Sequence, residues 1–304
     1  DLHDNTHSFP TRRSSDLCRS IVERRCSFCM GSVFMYSIQP DWALSSDVYK
    51  KRIVNRMGIA HFYEFRINNL GLALLPSIPD DCIDVVFDIS FDGAQAMAAG
   101  TVFERSETWM VEGHTYFGMR FLPGVKPVFL EGIFSEYNYE QFDLSICTKD
   151  SFLIEKMCEL PDFNSRCDFF MEYYEKKLSA SELVLSGTDQ IVRSVLSDIS
   201  DHRGIIRIDS IADSTGYTSR YLEKVFKGMM GISPKKYADI LRFQSAIDFI
   251  DKNPSTNISD VASDFGYYDQ PAFVRIFKKC TGLTPREYRE IIRSQDYMSR
   301  IVNM

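Results

Sequence analysis

Ile211–Tyr237 reads IADSTGYTSRYLEKVFKGMMGISPKKY, and Val261–Tyr288 reads VASDFGYYDQPAFVRIFKKCTGLTPREY. The two stretches are copies of one unit. Ala212/Ala262, Gly216/Gly266 and Tyr217/Tyr267 repeat at an offset of 50. Phe226/Phe277, Lys227/Lys278, Gly231/Gly282, Pro234/Pro285 and Tyr237/Tyr288 repeat at an offset of 51. The one-residue insertion falls between the Gly-Tyr turn and the second helix of the unit.

Each copy predicts a helix–turn–helix. A short helix (Ile208–Ser214; Ile258–Asp264) ends at a glycine able to take the positive φ of a tight helix-to-helix turn. The second helix, about 218–228 or 269–279, is capped by Thr218 or Ser219 in the first copy and by Asp269 in the second. Leu222, Val225 and Phe226, and likewise Phe273, Ile276 and Phe277, share helical spacing and are expected to face inward. That leaves Ser219, Arg220, Tyr221, Glu223, Lys224 and Lys227 pointing outward in copy one. In copy two the outward set is Gln270, Pro271, Ala272, Val274, Arg275, Lys278 and Lys279. These residue types suit a major-groove helix: Arg bridges guanine O6 and N7, Gln pairs with adenine, and an Ala methyl meets a thymine methyl. The lysines suit phosphate. A long helix, Pro234–Asp251, joins the units, with Pro in its first turn and Asn253-Pro254 after its end. Two such units predict insertion into successive major grooves, about 34 Å apart.

Residues 205–293 resemble the DNA-binding domain of the AraC/XylS family of bacterial transcription regulators. The resemblance rests on Gly266-Tyr267-Tyr268-Asp269-Gln270, Phe273, Arg275, Phe277-Lys278, Gly282-Leu283-Thr284-Pro285 and Tyr288-Arg289. It implies base contacts from Arg220, Glu223 and Lys224 in copy one, and from Pro271, Ala272 and Arg275 in copy two. Gln270 would bind backbone or cap. Glu223 departs from the common Gln, and a carboxylate among phosphates is costly unless it accepts from cytosine N4.

Upstream, the period changes. The chain has 304 residues, 44% hydrophobic and 25% charged, which suits two globular domains and excludes a disordered or fibrous protein. No apolar run approaches the 18–20 residues, roughly, of a membrane helix. Eight scattered cysteines predict free thiols in a reducing cytoplasm rather than a disulfide scaffold. The net charge of −7 is unevenly placed. Residues 35–185 hold 13 Lys+Arg against 23 Asp+Glu, whereas residues 186–293 hold 16 against 14. Residues 1–34 carry no helical or strand period and no signal-peptide pattern, and are expected to be a non-native or disordered leader, with Met30 or Met35 as the start. Its Cys26-Ser-Phe-Cys29 lacks the second ligand pair that zinc needs.

Residues 35–150 carry strand signals at Ile59–Ile67, Gly71–Leu75, Cys82–Ser90, Thr115–Leu122 and Val125–Leu130, separated by turn residues. They predict an antiparallel barrel or sandwich. Leu75-Pro76, Pro79–Phe87 and Gly118–Gly124 resemble the β-rich sensory domain that precedes this kind of DNA-binding domain. That resemblance implies a cupin-like barrel that senses an effector or dimerises. Residues 151–185 read as helices (Ser151–Glu159, Phe163–Leu178), the second a candidate dimer or interdomain helix. Ser186–Asp189 is the expected joint, and 294–304 a tail.

The fold class expected is therefore α+β and multidomain: a β-rich front and an all-α back with two helix–turn–helix units. The function expected is sequence-specific DNA binding under the control of the front domain. The partners are double-stranded DNA and a small-molecule effector, with RNA polymerase and a second copy of the chain as open alternatives. No catalytic residue and no cofactor is implied. The alternative is a cupin-like metal enzyme tethered to a DNA-binding module. It would need clustered His with a Glu. His61 and Glu64 have odd spacing on one strand and so face opposite sides, and His114 is alone on a turn. His61, Tyr63 and Arg120 are the candidate effector contacts. Arg120, in an apolar strand, demands a carboxylate such as Asp84 or Asp88, unless it binds an anion. Trp42, Tyr63, Phe65, Trp109 and Tyr116 line a pocket or fill a core.

Overall fold

Aromatic and β-branched residues dominate Ile59–Arg66 (IAHFYEFR) and Asp84–Asp88 (DVVFD), and both segments are strands buried on both faces. In the computed structural model they lie inside one seven-stranded sheet of order β6-β4-β3-β5-β2-β1-β7. The structure describes residues 40–68, 78–90, 95–101, 110–138, 141–148, 150–181, 186–294 and 296–304. The strands are β1 (Tyr49–Arg56), β2 (Ile59–Arg66), β3 (Asp84–Asp88), β4 (Gln95–Ala99), β5 (Thr115–Phe121), β6 (Gln141–Asp143) and β7 (Ile301–Asn303). The helices are α1 (Pro40–Leu44), α2 (Leu144–Cys147), α3 (Ser151–Glu159), α4 (Phe163–Ala180), α5 (Gly187–Asp201), α6 (Ile208–Thr215), α7 (Ser219–Met230), α8 (Pro234–Lys252), α9 (Ile258–Asp264), α10 (Gln270–Thr281), α11 (Pro285–Ser294) and α12 (Tyr297–Arg300). The readings of Cys26 and Cys29, Gly71–Leu75, Leu75-Pro76 and Trp109 lie outside the described residues.

The described strands form one open sheet, not a barrel or a pair of packed sheets, and the layers on its two faces are helical. On the first face, Phe62, Val85, Phe87, Phe117, Met119 and Phe121 join a core with Phe163, Cys167, Phe170 and Tyr174 of α4 and with Leu222 and Phe226 of α7. On the second face, Tyr49, Tyr63, Phe65, Val86 and Tyr116 join Trp42 and a core made by Phe243 and Ile247 of α8, Phe277 of α10 and Tyr288 of α11. The sheet is thus a central layer with one helix–turn–helix unit packed into the core of each face. The apolar side of α4 is spent on the first face; its outward side carries Asn164, Asp168, Glu172, Glu175 and Lys176.

Two sequence expectations change, and one strand is added. Val125–Leu130 is not a strand: Pro127 has no N–H to give a ladder, and Leu130 N donates to Pro127 O in a turn instead. Tyr49–Arg56 (YKKRIVNR) is a strand despite its charge, pairing antiparallel with β2. The tail is structured. Ile301, Val302 and Asn303 pair parallel with Tyr49, Lys50 and Lys51, and Arg300 Nη1 donates to Leu44 O (3.0 Å) and Ser46 O (2.6 Å). No helix among the described residues is long and apolar enough to cross a membrane. The described cysteines, Cys82, Cys147, Cys158, Cys167 and Cys280, are free thiols.

Candidate nucleic-acid interface

Unit one is built by its caps and glycine. α6 ends at Gly216, whose φ of 73° is the left-handed conformation a tight turn needs. Thr218 then caps α7, its hydroxyl accepting from Tyr221 N at 3.2 Å. Leu222, Phe226 and Met230 are the inward stripe. Gly231 closes α7 with φ 76°, and Ser233 with Pro234 opens α8. Unit two repeats the plan. Gly266 has φ 65°, the Asp269 carboxylate accepts from Ala272 N at 2.7 Å, and Phe273, Phe277 and Thr281 face inward. Thr284 and Glu287 form a capping box that starts α11. Tyr288 Oη donates to Asp251 at 2.9 Å and ties α11 to the end of α8.

The inward stripe therefore runs i, i+4, i+8. Ile276, expected inside, is 37% exposed at the edge of α10, and Val225 is half-buried. Arg220, Tyr221, Glu223, Lys224 and Lys227 are exposed on α7, and Gln270, Pro271, Arg275, Lys278 and Lys279 on α10. Ser219 and Ala272 are half-buried, as is Val274. The Ser219 hydroxyl donates to Asp209 at 2.8 Å and so braces α7 on α6. No ion pair among the described residues takes up Arg220, Lys224, Lys227, Arg275, Lys278 or Lys279. Each helix thus presents a cationic row with its charge unspent, the arrangement that phosphate and guanine contacts require.

Sequence reasoning missed two features here. Tyr217 and Tyr267 align in the repeat but differ in space. Tyr217 is 43% exposed and lies 5.3 Å from the Tyr221 ring, whereas Tyr267 is buried beneath Arg242. The exposed aromatic of unit two is Tyr268, at 96%. The Tyr267-Tyr268 doublet was the available signal.

The front-domain candidates meet on the second face of the sheet. Arg120 grips Asp84 with two nitrogens (Nε 3.2 Å, Nη2 2.7 Å) and reaches Asp80 with Nη1 at 3.0 Å. Asp84 and Arg120 are direct cross-strand partners of β3 and β5. Asp88 instead meets His114 Nδ1 at 2.6 Å. Tyr63 Oη donates to Asp84 at 3.0 Å, and the Arg120 guanidinium lies 5.6 Å from the Trp42 ring centre. Trp42, Tyr63, Phe65 and Tyr116 pack as core. His61 is fully buried, its ring nitrogens have no hydrogen-bond partner, and burial beside Lys51 and Arg120 pushes its pKa well down, which keeps the imidazole neutral. Glu64 faces the other side, paired with Lys50 (2.6 Å) and with Arg166 of α4 (3.1 Å). Among the described residues no group of three or more His, Cys, Asp or Glu could hold a metal ion.

Lys51 shares this buried face. Burial, with Arg120 nearby, pushes its ammonium down to about 7 from the usual 10.5. Between those values the unfolded chain binds the proton and the folded chain does not, so stability rises with pH across that window. Below it, the lysine subtracts most. Lys51→Met is therefore expected to raise the urea midpoint more at pH 6 than at pH 10. An equal gain at both would show that Lys51 is solvated in the folded state.

Comparisons with known proteins match the helix–turn–helix part of the chain. A helix-turn-helix domain family matches residues 211–291. The chain is similar to the probable transcription factor PqrA of Proteus vulgaris, 34% identical over 85 residues, which cover 28% of this chain and 69% of that protein. It is also similar to the arabinose operon regulatory protein of Salmonella typhimurium, 32% identical over 103 residues, 33% of this chain and 36% of that protein. Among solved structures, the C-terminal domain of AraT, a response regulator from Geobacillus stearothermophilus, is 27% identical with a TM-score of 0.32, covering 34% of this chain and 88% of that one. The chain spans less than half the length of the arabinose operon protein. With the doubled unit, its caps and its turn glycines in place, and with PqrA matched over most of its length, the chain belongs to the AraC/XylS family of transcription regulators.

Proposed function

We propose that this regulator reads DNA by placing α7 and α10 in successive major grooves of one site, with the front domain governing how the two helices are presented. The observation that carries the reading is the pair of equivalent helices, each showing an exposed cationic row that no ion pair among the described residues consumes. Arg220, Lys224 and Arg275 are assigned to base edges, and Lys227, Lys278 and Lys279 to phosphates. The front domain supports a governing role because both units pack into its sheet. Asn138 Nδ2 caps the end of α7 by donating to Met230 O at 2.9 Å, and Gln244 of α8 donates to Pro79 O. A small-molecule effector, contacts with RNA polymerase, self-association and a cytoplasmic location belong to the same proposal and rest on family membership. A metal-dependent enzyme in the front domain finds no support, since His61 and Glu64 lie on opposite faces of the sheet.

The test is selection of random duplexes by the full chain at near-physiological salt. An enriched motif with two clusters about one helical turn apart is expected; one cluster alone would overturn the two-groove reading. On the enriched site, Arg275→Ala is expected to cost about 1–3 kcal/mol and to relax choice at one base pair. Lys278→Ala is expected to weaken all sequences alike and to lower the salt slope by about 1. A uniform loss for Arg275→Ala would remove it from base readout.

A further inference from the structure

We propose that Arg242 determines the spacing between the two DNA boxes that the chain accepts. The proposal rests on the two-groove reading above. Arg242 sits on α8, the helix that joins the units. Its Nη2 holds Asp239, one turn earlier on the same helix, at 2.7 Å. Its Nη1 donates to Gly266 O, in the turn of unit two, at 3.2 Å. Its guanidinium carbon lies 4.7 Å from the centre of the Tyr267 ring. Tyr267 in turn packs at 4.8 Å on Phe273, the first inward residue of α10. A continuous line of contact thus runs from the joining helix to the second recognition helix through Asp239, Arg242, Tyr267 and Phe273.

The loop that opens unit one meets the same point. Gly204 has φ 74°, and a Cβ there would run into Ala238 O and lie 2.7 Å from Arg242 N. A Cβ at Gly266 would lie 3.1 Å from Ile205 Cγ2. The start of unit one, the joining helix and the turn of unit two therefore close on one junction, and Arg242 links the last two through polar contacts beside the Phe249–Phe265 ring pair. The turn of unit one differs, for Tyr217 is exposed and packs on Tyr221 instead of lying buried beneath an arginine. The repeat is symmetric in sequence and asymmetric in its fastening. α7 is held by the front domain through Asn138, and the turn before α10 is held by Arg242.

The guanidinium does two things at once that an ammonium does not: it divides a planar fork between a carboxylate and a carbonyl, and it stacks on an aromatic face. Without it, unit two keeps its apolar seat on α8 through Phe243–Phe277 and Phe249–Phe265, but its turn loses the one polar clamp among the described residues that sets the fine angle of α10 on that helix. The recognition helix would then tolerate boxes placed nearer or farther.

The experiment uses the full chain and the two-box duplex from the selection. It adds duplexes with one or two base pairs inserted or deleted between the boxes, and duplexes with the unit-two box alone. Melting by circular dichroism confirms that Arg242→Ala and Arg242→Lys fold. Wild type is expected to prefer the selected spacing. Arg242→Ala is expected to cut that preference by about tenfold, while its affinity for the lone unit-two box stays within about threefold of wild type. Arg242→Lys, with the charge kept and the fork lost, is expected to behave like Arg242→Ala. A variant that weakens every duplex equally and keeps the spacing preference would overturn the proposal. So would Arg242→Lys retaining full preference. A wild type indifferent to spacing would instead bring down the two-groove reading on which the proposal stands.

Discussion

Arg120→Ala is expected to cost the full chain about 3–5 kcal/mol of folding stability, because it strands two buried carboxylates. Arg120 is 2% exposed, and Asp80 and Asp84 are 4% exposed each. The guanidinium is the shared counter-ion of both and also lies against Trp42. A buried ion pair adds little over an apolar replacement, but removing one partner leaves the other desolvated and uncompensated. The expectation thus has two halves. Arg120→Ala alone is strongly destabilising, and combining it with Asp80→Asn and Asp84→Asn recovers a substantial part of the loss. Urea unfolding followed by tryptophan emission, to which Trp42 contributes from beside the cluster, measures both. A loss below about 1 kcal/mol for the single variant would show that water reaches the carboxylates, as it does in surface pairs.

Arg120 also marks how far the chain could be read without coordinates. A lone Arg in an apolar strand must find a carboxylate, and Asp84 was one of two candidates. Choosing between Asp84 and Asp88 needed the register of β3 on β5, which places Asp84 directly across from Arg120. The DNA-binding half was legible because its signals are local. Turn glycines, caps and apolar stripes lie within a few residues of one another, and the repeat states each of them twice. Ile276 escaped because a stripe at i, i+4, i+8 and one at i, i+3, i+4 overlap over so short a helix. The front half was less legible because its pairings are distant. β1 looks solvated in sequence, yet Lys50 is neutralised by Glu64, Arg52 by Asp168 of α4 (2.8 Å), and Lys51 is buried on the second face. β7 has only three residues, and its partner lies some 250 positions away. No period within a window of the chain reports such a contact. The docking of both units on one sheet was invisible for the same reason.

That docking sets the expected behaviour of Phe277→Ala. Phe277 is fully buried, with ring centres 5.6 Å from Phe243, 5.6 Å from Phe273 and 5.4 Å from Tyr288. Truncating so enclosed a phenylalanine costs about 3–5 kcal/mol, through lost transfer energy and the cavity left behind. In a chain of independent domains the loss would fall on unit two alone. Here Phe277 shares one core with Trp42, Tyr49, Tyr63 and Phe65 of the front domain. The chain beyond α11 then binds unit two to the sheet edge a second time, through β7 on β1 and through Arg300. A defect at Phe277 is therefore expected to lower the midpoint of the whole molecule. Tryptophan emission, far-ultraviolet circular dichroism and retention of the two-box duplex should shift together along the urea axis. If DNA binding fails well before the emission changes, unit two opens on its own, and the second face of the sheet is a docking surface rather than a shared core. Coincident transitions would mean that the front domain and the second recognition helix fold as one cooperative unit, so that any change at the sheet face is felt at α10 without a separate relay.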